Sequence, residues 1–274
     1  MSKSQASSPC QTGRWRDLAR RTASAAVLTP LAIACLWYGD AAWVALIAVA
    51  ALALAREWTR MLRLPVLAAA TMLLGIAVVI LLVLLRAPPP PTLFSALFMV
   101  GLAHLLWFRR NAPAVGVLAI GAPAIALIWL RLGSAGLQNT LFLLLIVWSS
   151  DIGAYAIGRL VGGPRLAPAI SPAKTWSGAT GGLLAAGLMG YVAAGALAPP
   201  TNLHAFVLAS FLGFVSQTGD LAESALKRHC GVKDSGQLIP GHGGVFDRVD
   251  GLLAAATAMA LLAVAMGNGV VLWR

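Results

Sequence analysis

Two pairs of acidic residues stand three positions apart in the second half of the sequence, each in a segment that can form one helix. In GDLAESALKR, Asp220, Glu223 and Lys227 follow the i, i+3, i+7 spacing that places residues on one helix face. Asp247 and Asp250 repeat the i, i+3 spacing where the last apolar run begins. Mg²⁺ is typically bound through one or two carboxylates together with substrate phosphates, so the two pairs predict a shared metal site.

Each pair also has a simpler structural explanation. Glu223 and Lys227 stand four residues apart, which is the spacing of an ordinary ion pair on an amphipathic helix. An acidic residue in the first turn of a helix, such as Asp247, is favoured by the helix dipole alone. The metal-site hypothesis gains support because both pairs flank the same loop.

The loop between the pairs is rich in glycine and in charge. Glycines let backbone N–H groups approach an anion closely, and basic side chains neutralise it, so the loop is predicted to bind phosphate. For any single basic residue, the alternative is an ordinary solvated loop charge. The candidate substrate-binding residues here are Ser224, Lys233, Asp234, His242, Gly243 and Gly244, and the candidate catalytic cations are Lys227, Arg228 and Arg248.

A second polar segment, ISPAKTWSG, precedes the seventh apolar run. After its Ser171-Pro turn, Lys174 and Thr175 could place an ammonium and a hydroxyl group on a phosphate. The segment lacks the flanking glycines of a Walker A loop. Upstream, Asp151 stands near the end of the sixth apolar run, where a charge without a partner is costly. We therefore expect Asp151 to face the same site as a further metal ligand.

The composition indicates that these residues are positioned by membrane helices. Apolar residues make up 59% of the 274 residues and charged residues 11%, against about 45–50% and about 25% in soluble domains. The sequence therefore predicts an all-α polytopic integral membrane protein with about nine transmembrane helices. The candidate spans are 23–39, 41–56, 66–86, 93–108, 114–131, 139–157, 178–198, 203–219 and 251–272.

The distribution of basic residues predicts a cytoplasmic N-terminus. With that orientation, every Lys and Arg except Arg86, Arg131 and Arg274 falls on the inner side. The catalytic loops 158–177 and 220–250 then face the cytoplasm. The net charge of +11 is explained by this topology, and no basic helix or aromatic-interleaved patch indicates a nucleic-acid partner.

The segment from Ser224 to Asp250 resembles the signature of the phosphatidate cytidylyltransferase, or CDP-diglyceride synthase, family. Its S-x-x-K-R, K-D, H-G-G and D-R-x-D elements are all matched, and QTGDLAES, DIGAY and SPAKTW are also similar to the family. The resemblance covers roughly residues 148–250. Two positions depart from the usual SPKKTWEG loop, because Ala173 replaces a lysine and Ser177 replaces the glutamate.

The resemblance implies a reaction in which CMP passes from CTP to phosphatidic acid, giving CDP-diacylglycerol and pyrophosphate. It also implies Mg²⁺ at one of two cation sites, with a monovalent ion such as K⁺ at the other, and it suggests a homodimer in a bacterial inner membrane. The implied metal ligands are Asp220 and Asp247, with Glu223, Asp250 and Asp151 as further candidates. The implied catalytic set is Asp220, Asp247, Lys174, Lys227, Arg228 and Arg248.

Two other functions are alternatives. An ion-coupled transporter also uses intramembrane acids, but it would distribute them across bilayer depth, whereas here they cluster at one end of the spans. A different CTP-dependent lipid kinase or transferase is the other alternative. In each case we expect one continuous membrane domain, with residues 1–131 forming N-terminal membrane helices and residues 132–274 forming the catalytic region.

Overall fold

Nine helices and one β-hairpin make up the described part of the chain. The structure, a computed structural model, describes residues 26–85, 90–108, 111–198, 203–239, 243–266 and 271–273. The helices are α1 Ala26–Tyr38, α2 Asp40–Met61, α3 Val66–Leu84, α4 Pro90–Phe108, α5 Asn111–Leu132, α6 Gly136–Val161, α7 Trp176–Leu197, α8 Leu203–His229 and α9 Phe246–Met266. The antiparallel strands are β1 Arg165–Ala167 and β2 Ser171–Thr175.

Six of these helices are long and apolar enough to cross a membrane, by length and composition. They are α2 and the five helices α5 to α9. The described apolar stretches of α1, α3 and α4 are shorter, covering Ala26–Tyr38, Val66–Leu82 and Ser95–Leu106. The prediction of a helical multi-pass membrane protein is therefore confirmed. The count of nine spans is not confirmed, because six of the described helices meet the criteria for a span. The β-hairpin was not predicted.

Local sequence explains where the site-bearing elements begin and end. Gly162, at φ 65°, ends α6 in a conformation that glycine adopts without steric cost. Thr175 then begins α7 as its N-cap, because its side-chain oxygen accepts a hydrogen bond from the Gly178 N–H at 3.1 Å. The hairpin β1–β2 lies between these two boundaries and is held beside the ends of α6 and α7.

Hydrogen bonds between α2 and α5 show that these helices run antiparallel. The Trp58 indole near the end of α2 donates to the Ala112 carbonyl at the start of α5, at 3.0 Å. The Trp43 indole near the start of α2 donates to the Leu127 carbonyl towards the end of α5, at 2.9 Å. The last turn of α2 therefore lies at the opposite face of the bundle from the last turn of α5.

Small residues bring α6, α7 and α8 into close contact. A Cβ atom added at Gly182 on α7 would lie only 2.8 Å from the Ser150 carbonyl oxygen on α6. The Gln217 side chain of α8 donates to the Ser150 hydroxyl and to the Ala179 carbonyl, both at 3.2 Å, so one amide links all three helices. The stripe of small residues that repeats every fourth position in α7 is buried throughout, at Gly178, Gly182, Ala186, Gly190 and Ala194.

Candidate active site

Lys174 on the hairpin and Asp220 on α8 form an ion pair at the open edge of the site. The Lys174 Nζ lies 2.6 Å from the Asp220 Oδ2, and the two side chains are 27% and 34% exposed. The Ser224 hydroxyl donates to the Asp220 Oδ1 at 3.4 Å. We call Lys174 and Asp220 the outer pair. The structure thus brings the two polar segments, which are separated by the whole of α7, into direct contact.

A second group of charges lies deeper and joins α8 to α9. The Lys227 Nζ lies 2.6 Å from the Glu223 Oε2 and 2.7 Å from the Asp247 Oδ1. These side chains are nearly dry, with 13%, 3% and 8% exposure respectively. We call the three residues the inner network. The simple i, i+4 pair considered for Glu223 and Lys227 does form, but Lys227 also bridges to the second helix.

Asp247 organises the glycine-rich loop through its second oxygen. The Asp247 Oδ2 accepts hydrogen bonds from the Ser235 N–H at 3.0 Å, the Ser235 hydroxyl at 3.0 Å and the Gly244 N–H at 2.9 Å. Gly243, at φ 83°, makes the turn that presents the Gly244 N–H. A metal ion bound by Asp247 would use the Oδ1, which Lys227 contacts in this structure.

Two further carboxylates, from α6 and α9, belong to the same cluster. Asp250 is close enough to Asp220, Glu223 and Asp151 to interact with them electrostatically, and it accepts a hydrogen bond from the Gly251 N–H at 2.7 Å. Asp151 is exposed on α6 and interacts with Asp220 and Lys174. Asp151 therefore lies near the outer pair, and its role as a metal ligand stays a prediction.

The donor set suits a cation that also binds a phosphate ligand. Among the described residues, no three Asp, Glu, His or Cys side chains are arranged to hold a metal ion by themselves. The cluster nevertheless contains five carboxylates and two lysines, namely Asp151, Asp220, Glu223, Asp247, Asp250, Lys174 and Lys227. Within the described ranges, the Glu223 Oε1 has no hydrogen-bond partner. Mg²⁺ needs only one or two protein carboxylates when phosphate oxygens complete its coordination, so these residues fit such an ion.

Two of the predicted residues hold the hairpin in place. The Thr175 hydroxyl, besides capping α7, lies 3.1 Å from the Ser177 hydroxyl, which in turn donates to the Gly162 carbonyl. The Arg228 Nε donates to the Ile170 carbonyl at 3.3 Å, which fastens the end of α8 to the hairpin. A phosphate contact by Thr175 or Arg228 stays a prediction.

The remaining predicted residues lie around the loop. Ser171 is half-buried on β2, and Gly244 is buried against Ser235. Three charged candidates have exposed side chains, namely Lys233, Asp234 and Arg248. His242 lies outside the described residues.

Sequence reasoning missed one carboxylate, which belongs to the N-terminal half. Glu57 on α2 is 2% exposed and accepts hydrogen bonds from the loop that follows α8, through Val245 and Phe246. The signal available in the sequence was an acid at the end of an apolar run, where charge is costly. Sequence reasoning assigned no role to the N-terminal membrane helices beyond spanning the membrane, and Glu57 shows that α2 contacts the loop beside the site.

These features define a multi-pass membrane protein with a charged site at one end of its helices. The chain belongs to the cytidylyltransferase family, whose model matches residues 19–266. It is 43% identical to a protein of Brucella suis biovar 1 (strain 1330) named phosphatidate cytidylyltransferase. The matched region of 251 residues covers 89% of this chain and 93% of that relative.

Relatives with the same name occur in other bacteria, where the similarity covers about half of each chain. The protein of Haemophilus influenzae is 45% identical over 125 residues, or 44% of this chain and 43% of its own length. The protein of Staphylococcus epidermidis (strain ATCC 35984) is 43% identical over 132 residues, or 48% of this chain and 51% of its own length.

Proposed function

We propose that this protein transfers CMP from CTP to phosphatidic acid, giving CDP-diacylglycerol and pyrophosphate. A phosphate oxygen of the lipid attacks the α-phosphorus of CTP, and the bond from that phosphorus to the oxygen bridging to the β-phosphate breaks. The observation that carries the proposal is the convergence of the family's signature residues in one site, from the outer pair to the inner network. The membership of the family over residues 19–266 supports it.

The proposed chemistry suits these residues because the nucleophile is already anionic. No general base is needed, so catalysis consists of positioning the reactants and neutralising charge around the α-phosphorus. The ammonium group of Lys174 is held by one carboxylate at the open edge and can turn to a phosphate. Lys227 is held by two carboxylates and keeps α8 and α9 together.

The proposed cofactor is Mg²⁺, with a second cation site that would take a monovalent ion such as K⁺. Asp220 would be the principal ligand, because among the described residues one lysine and one hydroxyl, at 3.4 Å, contact its oxygens. Asp250, Glu223, Asp151 and the Oδ1 of Asp247 are the other candidate ligands. When bound, the metal would neutralise the phosphates of CTP and the departing pyrophosphate.

We further propose that the protein lies in the bacterial inner membrane with nine spans and with the site facing the cytoplasm. The lipid would then enter sideways from the inner leaflet. Exposed apolar side chains beside the site, at Ile152, Tyr155 and Trp176, support this route. A homodimer is proposed from the family alone, and light scattering of the purified protein in detergent would test it.

Radiolabelled CTP tests the reaction and separates it from the kinase alternative. Purified protein given phosphatidic acid, Mg²⁺ and CTP labelled at the α-phosphate is expected to form labelled CDP-diacylglycerol, whereas the γ-label should leave as pyrophosphate. A chelator should stop the reaction, which serves as the control. Transfer of the γ-label to lipid would indicate a kinase instead, and folded protein that labels no lipid with either CTP would refute the proposal.

A further inference from the structure

Glu57 is a buried carboxylate whose hydrogen bonds all come from one segment on the far side of the sequence. Its Oε1 accepts from the Val245 N–H and its Oε2 from the Phe246 N–H, both at 2.9 Å. The Ser235 hydroxyl lies 3.1 Å from the same Oε2. The donors are the first residue of α9 and the residue before it, so the carboxylate also meets the positive end of that helix dipole. Within the described residues, Glu57 forms no ion pair.

The loop encloses this carboxylate with little space to spare. A Cβ atom at Gly236 would lie 2.6 Å from the Glu57 Oε1, and one at Gly244 would lie 2.7 Å from the Glu57 Oε2. Both contacts are shorter than van der Waals distances, so the backbone can close on Glu57 only because these two residues are glycines. We call the described residues 235–239 and 243–246 the anchored loop.

Ser235 connects Glu57 to the inner network. Its hydroxyl lies 3.1 Å from the Glu57 Oε2 and 3.0 Å from the Asp247 Oδ2, and it has one hydrogen to donate. The Ser235 N–H also donates to the Asp247 Oδ2 at 3.0 Å. A displacement of Glu57 would therefore be passed through Ser235 to Asp247, and from there to Lys227.

The helix that carries Glu57 is itself held firmly. The Trp58 ring packs against the Phe246 ring with centroids 6.0 Å apart, and its indole N–H donates to Ala112 on α5. Glu57 is thus fixed from one side by α5 and meets α9 from the other. Among the described residues, no hydrogen bond or ion pair joins Glu57 to the outer pair, so we expect its effect on the reaction to pass through the anchored loop.

We propose that Glu57 is a positioning residue for the nucleotide. It holds the anchored loop so that Asp247 and the N–H groups around Gly243 and Gly244 are in place when CTP binds. This inference rests on the proposed function, because the nucleotide identifies what the loop is positioned for. The effect of Glu57 on the stability of the anchored loop can be measured by hydrogen exchange, without measuring enzyme activity.

The Glu57→Gln variant tests the proposal with almost no change in side-chain volume. Its amide NH₂ group would face a backbone N–H, so either Val245 or Phe246 would lose its acceptor. We expect kcat/KM for CTP to fall about 100-fold, since a misplacement of about 1 Å can cost that much, with a raised KM for CTP. Hydrogen exchange should accelerate in residues 232–247 and stay unchanged in α6 and α7.

Arg56→Gln is the control for Glu57→Gln, and Ser235→Ala is the second variant. Arg56→Gln changes an exposed neighbour on the same helix and should leave both kinetics and exchange at wild-type values. If Glu57→Gln does not fold, Ser235→Ala replaces it, because it removes the shared hydroxyl and should shift KM and local exchange in the same direction by less.

Several results would overturn the inference. These are a folded Glu57→Gln protein with the wild-type KM for CTP, exchange that rises equally in all helices, or a Ser235→Ala protein that matches wild type in both measurements. If the wild type forms no CDP-diacylglycerol, the proposed function fails. The exchange comparison then still decides whether Glu57 holds the loop.

Discussion

The two lysines of the site differ in how many carboxylates hold each of them. Lys227 lies between Glu223 and Asp247 in a nearly dry environment, where removing one partner of an ion pair costs about 3–5 kcal/mol. Among the described residues, Lys174 contacts one carboxylate, that of Asp220; both side chains are partly exposed, but the Lys174 Nζ itself is buried. Under the proposed function, a phosphate would replace one carboxylate partner of Lys174, whereas it would have to replace two partners of Lys227.

Asparagine substitutions test the assignment of the two aspartates. We expect Asp220→Asn and Asp247→Asn each to lower kcat by about 10² or more, because each removes negative charge that we propose holds the cations of the site. Asp220→Asn should also raise the Mg²⁺ concentration that gives half the maximal rate. Asp247→Asn should in addition speed hydrogen exchange in the anchored loop, since its Oδ2 accepts three hydrogen bonds there.

Steady-state kinetics over a Mg²⁺ titration measure both variants, and gel filtration verifies that each is folded. Wild-type rates in either variant would show that the metal assignment is wrong. A Mg²⁺ requirement that changes only in Asp247→Asn would move the principal ligand from Asp220 to Asp247.

At the scale of elements, the site depends on how closely α6, α7 and α8 approach one another. Glycine on α7 lets the α6 backbone come within contact distance, and Gln217 bonds across all three helices. Ser150, which Gln217 contacts, immediately precedes Asp151, so the position of this carboxylate follows from the helix spacing. The hairpin adds Lys174, and Arg228 fastens that hairpin to α8.

Gly182→Ala tests the dependence of the site on this spacing. The added methyl group would lie 2.4 Å from the Gln217 Nε2 and 2.8 Å from the Ser150 carbonyl oxygen, so the Gln217 amide must move and α6 and α7 must separate slightly. Overpacking of this kind costs about 1–3 kcal/mol, and we expect both the free energy of unfolding and kcat to fall. Gly133→Ala is the matched control, because the nearest atom to its Cβ is 3.5 Å away. Equal effects of the two substitutions on denaturant unfolding and kcat would contradict this account.

At the scale of the whole molecule, the described helix ends fall at two opposite faces. The last turns of α2 and α8 and the first turn of α9 meet around the anchored loop and the inner network. At the other face, Arg131 near the end of α5 donates to the Leu36 carbonyl near the end of α1, at 2.8 Å. The structure separates the two faces, and the excess of basic residues around the site face is the reason to propose that it is cytoplasmic.

Labelling of single cysteines tests this orientation. The background has Cys10, Cys35 and Cys230 changed to Ser. One new cysteine replaces either Gly133 or Arg165, which are both exposed and lie at opposite faces of the molecule. A membrane-impermeant maleimide should label Gly133→Cys in intact spheroplasts and Arg165→Cys only in inverted vesicles. Labelling in the reverse pattern would place the site outside the cytoplasm.

The sequence predicted the site well where the argument depended on local spacing. The i, i+3 acids do lie on facing helices, Asp151 does belong to the cluster, and the small residues of α7 are buried. The count of nine spans is not confirmed, because six of the described helices are long and apolar enough to cross a membrane. The hairpin was missed because its strands of three and five residues carry too little pattern to detect.

The sequence by itself determined a multi-pass helical membrane protein with an acidic and basic site at the ends of its last helices. Hydropathy and helical periodicity are properties of residues close together in the sequence, so they can be recognised without knowledge of the fold. Only the tertiary structure decided which charges are partners: Lys174 with Asp220, Lys227 with Asp247, and Glu57 with a loop 178 to 189 residues away. Such pairings depend on how helices pack, and no local pattern records which distant backbone N–H group a buried carboxylate will meet.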